Sequence, residues 1–371
     1  MSALPISLQL YCHACGRRYN DNWVWRCDCD SPLDFAVSQT PDGAPLEPPT
    51  WSDITAGLWT FADLLPVEPA VSLGEGFTPL VESKHWDAEF KLEYVFPTGS
   101  FKDRGATVMV STATRLGADR VVEDSSGNAG AAVATYAARA GIDAEIYVPA
   151  SIKPAKRRVI ERTGATPVSI EGSREQVTKA CVEAVKSGET WYASHAWNPA
   201  FFEGTATFAY EVCAQRGWNA PDAVVMPLGH GTLFLGAYRG FVRLMNAGWI
   251  DSLPRLFAAQ AAGYAPIASE LHDDSAASTG INNRADGIQI TAPVRHGQIL
   301  AAIDATDGDA IALSADAIDT AVDALHTQGF YTEPTCAIAP AALGVYRDQG
   351  VITADDDVVV PLTGSGFKST G

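Results

Sequence analysis

Lysine is scarce in this chain, with 8 residues of 371 against 18 arginines, while 27 aspartates outnumber 17 glutamates. The formal charge of −18 excludes a phosphate backbone or an anionic membrane as a principal partner, because both require a cationic surface. A surface short of lysine and rich in aspartate tolerates ionic strengths that screen self-repulsion, and it points to a halophile. An ordinary acidic enzyme is the alternative, and loss of the fold at high salt with none at low salt would refute the halophilic reading. Also missing are a basic, then apolar, amino-terminal leader and any run of about 18 uninterrupted apolar residues. Neither secretion nor membrane insertion is therefore expected, and a cytoplasmic protein is. Apolar residues are plentiful at 47% against 19% charged, which suits a globular fold. At roughly 150 residues per domain the length suggests two or three domains.

Four of the seven cysteines, Cys12, Cys15, Cys27 and Cys29, fall close together near the amino terminus. Short cysteine pairs on turns each supply two soft ligands to a tetrahedral zinc. Gly16 follows the first pair, as a tight knuckle requires. The second pair has one spacer residue where a standard ribbon has two, and His13 is an alternative ligand. An odd cysteine total and a reducing cytosol disfavour the competing reading, disulfides. With four protein ligands the zinc would be structural. Trp23–Trp25 reads as a short strand between the pairs. Cys181, Cys213 and Cys336 sit in apolar stretches and read as small buried residues.

Residues 37–75, rich in proline, glycine, serine and tryptophan, read as a linking and wrapping segment. Beyond them strands and helices alternate. Strands are expected at Lys91–Phe96, Arg120–Glu123, Ala144–Val148, Thr166–Ile170, Thr190–Ala193, Ala223–Pro227, Arg255–Ala259 and Asp357–Leu362. Helices are expected at Asp103–Leu116, Ala129–Ala140, Lys153–Arg162, Arg174–Lys186, Glu203–Arg216, Thr232–Asn246, Ala315–Thr327 and Ala337–Asp348. Such alternation builds largely parallel sheets, whose ligand loops lie at the carboxyl ends of the strands.

Three strand-to-helix loops carry chemistry. In Pro97-Thr98-Gly99-Ser100-Phe101-Lys102-Asp103-Arg104-Gly105 the lysine stands where a cleft can desolvate it and make its amine nucleophilic. In Ser125-Ser126-Gly127-Asn128-Ala129-Gly130 small residues let backbone amides approach an anion at a helix start. Pro227-Leu228-Gly229-His230-Gly231-Thr232-Leu233 is a nest of N–H groups suited to a phosphate. It lacks the third glycine and the following acidic residue of a dinucleotide fingerprint, and the Gly-Lys-Ser/Thr of a P-loop. Gly364-Ser365-Gly366-Phe367-Lys368-Ser369 fails as a P-loop too, since Phe367 separates glycine from lysine.

The order SFKDRGA, SSGNAG, PLGHGTL and VVVPLTGSG resembles the pyridoxal-phosphate enzymes of the tryptophan synthase β type, and threonine synthases most of all. The resemblance covers roughly Leu73 to the carboxyl terminus, and the cysteine knuckle also occurs in threonine-synthase-like proteins. It implies an α/β, two-domain PLP fold type II with parallel sheets, plus an amino-terminal zinc-ribbon-like knuckle. The domains expected are 1–36 for the knuckle, 37–97 with 197–371 for a large cofactor-binding domain, and 98–196 for a small mobile domain that closes when substrate binds.

The resemblance also implies roles. Lys102 would hold pyridoxal 5'-phosphate as a Schiff base and move protons. Asn128 would bond the ring oxygen, and Ser125, Ser126, Gly127, Asn128 and Ala129 would receive the substrate carboxylate. Gly229, His230, Gly231, Thr232 and Leu233 would cup the cofactor phosphate, and Thr363 would face the pyridine nitrogen. The activity implied is conversion of O-phosphohomoserine to threonine and phosphate, by a protein commonly assembled as a homodimer.

The match departs from the threonine synthase pattern where a phosphorylated side chain would bind. Phe201 stands for an arginine, Ala206 for a lysine, and GHGTL for GNGGN. Lys153, Arg104 and Arg284 are candidate substitutes for the lost cations. A threonine or serine dehydratase, or a β-replacement enzyme acting on an uncharged side chain, is therefore an alternative. So is a non-catalytic amino-acid sensor or accessory subunit. Glu333-Pro334-Thr335 and Ala285-Asp286-Gly287-Ile288 read as cleft walls or plain turns, and His195 and His230 as structural or auxiliary histidines.

Overall fold

Short apolar runs such as Ala223–Pro227 and Val358–Pro361 become central strands because almost every side chain in them is buried. Each buried valine there contributes about 1.5–3 kcal/mol relative to exposure. The computed structural model describes residues 6–20, 23–37, 47–50, 57–186, 188, 190–273 and 284–368. Contacts divide the chain into two compact units, residues 1–76 with 102–205, and residues 77–101 with 206–371.

The first unit opens with β1 (Ile6–Tyr11), β2 (Arg18–Tyr19) and β3 (Asp34–Val37), an antiparallel sheet in the order β2-β1-β3. Trp23–Trp25 is a loop here and not the expected strand. Both sides of β1 are already paired, and the tryptophans serve as packing. Trp23 stacks on Trp191 at 5.0 Å, while Trp25 meets Tyr192 and Trp197 edge-on at 5.2 Å each. Residues 57–64 form a 3-10 helix burying Leu58, Trp59, Phe61 and Leu64. Residues 57–76 group with this first unit. The physical reason is a set of bonds between the segment 70–75 and the two helices that follow, 102–115 and 128–140. The Val71 carbonyl accepts from Thr107 Oγ1 at 2.8 Å, and Tyr136 Oη donates to Glu75 at 3.1 Å.

The chain next gives the second unit β4 (Leu80–Ser83) and β5 (Ala88–Lys91), an antiparallel pair. The strand expected through Phe96 stops at Lys91, and residues 93–95 turn as 3-10 helix. Lys91 is fully buried, and its ammonium donates to Thr78 O, Glu211 and Gln215 at 2.6–2.9 Å.

Back in the first unit come α1 (Lys102–Arg115), β6 (Arg120–Glu123), α2 (Asn128–Ala140), β7 (Asp143–Pro149) and α3 (Pro154–Arg162). Then follow β8 (Thr166–Ile170), α4 (Arg174–Lys186), β9 (Trp191–Tyr192) and α5 (Pro199–Gln215), whose residues from 206 on belong to the second unit. The strands make a parallel sheet in the order β8-β7-β6-β9. The second unit continues with β10 (Ala223–Pro227), α6 (Thr232–Asn246), β11 (Arg255–Ala261), α7 (Pro266–His272), α8 (His296–Ala305) and β12 (Asp309–Leu313). It ends with α9 (Ala315–Thr327), α10 (Pro334–Asp348) and β13 (Val358–Pro361). Its sheet runs β12-β11-β10-β13-β5-β4, parallel except for β4.

Candidate active site

Lys102 is the first residue of α1, half-buried, with Nζ 5.6 Å from the ring centroid of Phe201. An aromatic face at that distance attracts an ammonium. Two glycines make the arrangement possible. A Cβ on Gly105 would lie 2.4 Å from the Phe201 ring, and a Cβ on Gly204 would lie 2.0 Å from the Arg104 carbonyl oxygen. The first turn of α1 and the second turn of α5 therefore meet backbone to backbone, with the fully buried Phe201 ring lying against Gly105.

The Ser125–Asn128 loop follows β6 and opens α2. The Gly127 amide bonds Ser125 Oγ at 3.3 Å, and a Cβ on Gly130 would lie 1.8 Å from the Ser125 carbonyl oxygen. Gly130 thus lets the loop fold tightly onto the first turn of α2. Ser125 and Ala129 are buried, and Ser126, Gly127 and Asn128 half-buried, at a helix start whose dipole favours anions. Immediately before the loop, Glu123 is completely buried, and its Oε1 lies 2.7 Å from His195 Nδ1. Burial pushes this carboxyl well above its ordinary range and the Asp124 charge adds to the rise, against weaker opposing pulls from Arg174, the His195 amide and Lys102. The His195 ring also meets Phe201 edge-on at 6.0 Å. His195 is thus the buried partner of Glu123, a pairing across 72 residues that no local signal announces.

In the second unit β10 leads into Gly229-His230-Gly231, and α6 starts at Thr232. Gly231 has φ +76°, and a Cβ there would lie 2.7 Å from Ile299 Cδ1. On Gly229 it would lie 3.1 Å from Ile288 Cα, so the segment 285–288 walls this loop. Thr232 and Leu233 are buried at the helix start. Thr363, just past β13, is buried as well, and its carbonyl accepts the Phe101 amide at 3.0 Å. A bridge between Ser100 and Gly364 accompanies it. The Glu333 amide bonds the Gly364 carbonyl at 3.0 Å, and Gly287 N bonds Thr335 Oγ1 at 3.2 Å. Glu333-Pro334-Thr335 is therefore both a helix start and a wall for residues 363–364.

Ala206 is fully buried where α5 crosses α6, its carbonyl oxygen 2.5 Å from the Cβ position of Gly240. Of the three candidate cations, Lys153 is exposed at the start of α3, Arg284 is ion-paired to Asp319, and Arg104 is fully buried in α1.

The four amino-terminal cysteines converge. Cys12 and Cys29 Sγ are 3.6 Å apart, Cys15 and Cys27 Sγ 3.5 Å, and all four lie within 4.8 Å of one another. Gly16, at φ +74°, donates its amide to the Cys12 carbonyl at 2.9 Å. His13 stands outside this set, with Nε2 3.2 Å from Asp34.

The family profile described as "Pyridoxal-phosphate dependent enzyme" matches residues 71–364. The threonine synthase of Methanosarcina acetivorans is 33% identical, the alignment covering 97% of this chain and 92% of the relative. That of Methanocaldococcus jannaschii is 30% identical over 96% and 92%. The chain belongs to the threonine synthase-like pyridoxal-phosphate enzymes. Among solved structures, maize serine racemase superposes with a TM-score of 0.67 at 21% identity, covering 78% of this chain and 88% of that one. Threonine deaminase isoform 2 of Solanum lycopersicum gives 0.68 at 21% identity, covering 78% and 79%. These likenesses establish the fold. In this pyridoxal-phosphate enzyme the residues fit the cofactor. Side chains at Gly229 and Gly231 would crowd Ile288 and Ile299, and the start of α6 adjoins this cradle, as a cofactor phosphate requires.

Proposed function

We propose that the protein is a threonine synthase, converting O-phosphohomoserine and water to threonine and phosphate. The observation that carries this reading is the likeness to threonine synthases along nearly the whole chain. Bound pyridoxal phosphate supplies an electron sink for the carbanion at the substrate's Cα. The chain supplies position and protons. Lys102 would hold the cofactor, take the Cα proton and then a Cβ proton as phosphate leaves Cγ, and return one proton to Cγ and, once the water oxygen has bonded Cβ, one to Cα; the remaining water proton ends on phosphate. The amides of Ser125–Ala129 would receive the α-carboxylate, helped by the α2 dipole, and Asn128 would hold the ring oxygen. Gly229–Leu233 would bind the cofactor phosphate, and Thr363 would meet the ring nitrogen.

A second reading, dehydration or β-replacement of an uncharged amino acid, is favoured by Phe201. A buried aromatic ring beside the lysine amine offers nothing to a phosphate dianion. Purified holoenzyme given O-phosphohomoserine, L-threonine or L-serine separately decides between them. Phosphate and threonine from the first alone are expected, whereas 2-oxo acid from the other two would replace the first reading with the second. The aspartate-rich, lysine-poor composition supports an enzyme of a salt-rich cytoplasm, so turnover should rise from low to molar KCl. A monotonic fall would remove that part.

We propose further that Cys12, Cys15, Cys27 and Cys29 bind a structural zinc. Zinc–sulfur bonds of about 2.3 Å put tetrahedral sulfurs roughly 3.8 Å apart, close to the separations above. Freshly purified protein should carry about one zinc per chain. Stripping it, or Cys12→Ser, should lower the melting temperature by about 5 °C or more, because such sites contribute folding energy directly. Metal-free protein with an unchanged melt would sink the assignment.

A further inference from the structure

Cys336 lies fully buried in the first turn of α10, and three contacts tie its sulfur to Thr363–Gly364. The Gly364 amide donates to Sγ at 2.9 Å, Sγ donates to the Gly364 carbonyl at 3.1 Å, and Sγ lies 3.4 Å from Thr363 Oγ1. Burial pushes the thiol up to about 12, so the sulfur keeps its proton at neutral pH. One S–H serves one acceptor at a time, the Gly364 carbonyl or the Thr363 oxygen. Given to the Thr363 oxygen, it occupies a lone pair there and leaves the hydroxyl's own proton for another acceptor. The backbone around it is fixed independently by Phe101 N on Thr363 O and Glu333 N on Gly364 O.

We propose that Cys336 is a positioning residue that sets the Thr363 hydroxyl as a hydrogen-bond donor to the ring nitrogen of pyridoxal phosphate. This rests on the reading of Thr363 as the ring-nitrogen partner. The nitrogen so served is unprotonated, and a thiol that donates to the hydroxyl oxygen does not compete for the hydroxyl's proton.

The test measures cofactor dissociation and the absorbance band of bound cofactor in the full-length protein, for Cys336→Ala, Cys336→Ser, Thr363→Val and the Cys336→Ala/Thr363→Val double variant. Melting of the cofactor-free proteins controls for folding. Cys336→Ala should weaken cofactor binding about tenfold and move the band in the direction seen for Thr363→Val. The double variant should be no worse than Thr363→Val alone, since coupled residues do not add. Cys336→Ser, which keeps one donor and one acceptor, should recover most of the affinity. If Thr363→Val leaves binding and band unchanged, the reading of Thr363 fails and takes the proposal with it. If Thr363→Val acts but Cys336→Ala is silent or purely additive, the proposal alone is overturned.

Discussion

Lys102→Ala loses at least about a thousandfold in turnover, equivalent to roughly 4 kcal/mol of barrier, while its melting temperature stays near that of the parent. The backbone on both sides of the lysine is held by groups the substitution does not touch. Phe101 donates to the Thr363 carbonyl, and the neighbouring Asp103 is buried against Tyr136 Oη at 3.4 Å. Alanine is also the best helix former, so the start of α1 survives. What disappears is the amine. Lys102→Arg should not rescue it, because a guanidinium stays protonated and is no nucleophile at neutral pH. Phosphate release from O-phosphohomoserine alongside thermal melting checks both halves. An alanine variant retaining more than a per cent or so of parental turnover would show that the amine is not the reacting group.

The second large effect belongs to Gly204→Ala. The added methyl would sit 2.0 Å from the Arg104 carbonyl oxygen, 2.7 Å from its carbon and 2.8 Å from Gly105 Cα. All three are backbone atoms, so no rotamer change relieves the clash and the first turn of α1 and the second turn of α5 must part. Overpacking of this kind costs about 1–3 kcal/mol, and the upper end applies where backbone is the obstacle. Parting the helices also moves Phe201 away from Lys102, so a tenfold or greater loss of turnover should accompany the loss of stability. Gly344→Ala is the control. It lies within α10, its Cβ position has nothing within 4 Å, and alanine there should be neutral or stabilising by about 0.5–1 kcal/mol. Chemical denaturation and steady-state kinetics of the two variants make the comparison. Equal behaviour would mean that the α1–α5 approach has slack that the geometry denies.

The chemistry-bearing loops were legible because each is local. A strand, a few small residues and a helix start carry their own signal, and Thr232–Asn246, Thr166–Ile170 and Ala223–Pro227 appear at the expected bounds. What stayed hidden depends on partners far along the chain. The strand lies at 88–91, and its last residue, Lys91, is a buried ammonium whose partner Glu211 stands 120 residues on. Trp23–Trp25 has strand-forming residues but no free partner on β1, and packing against Trp191 and Tyr192 overrides the propensity. Strand β12 was missed because glycine and aspartate flank it, and α7 and α8 because prolines and glycines interrupt their pattern. Cys336 read correctly as buried, but its hold on Thr363 joins positions 27 apart through a fold no spacing reveals.

The cysteine knuckle is no detachable appendage. Its Leu10, Leu33 and Phe35 belong to one continuous apolar cluster with Leu58, Trp59, Val121 and Trp191. A truncation beginning after residue 36 would leave that oily floor open to water, and a knuckle grafted onto another scaffold would arrive without its landing surface. Any lineage that exchanged this module would have had to exchange the floor along with it.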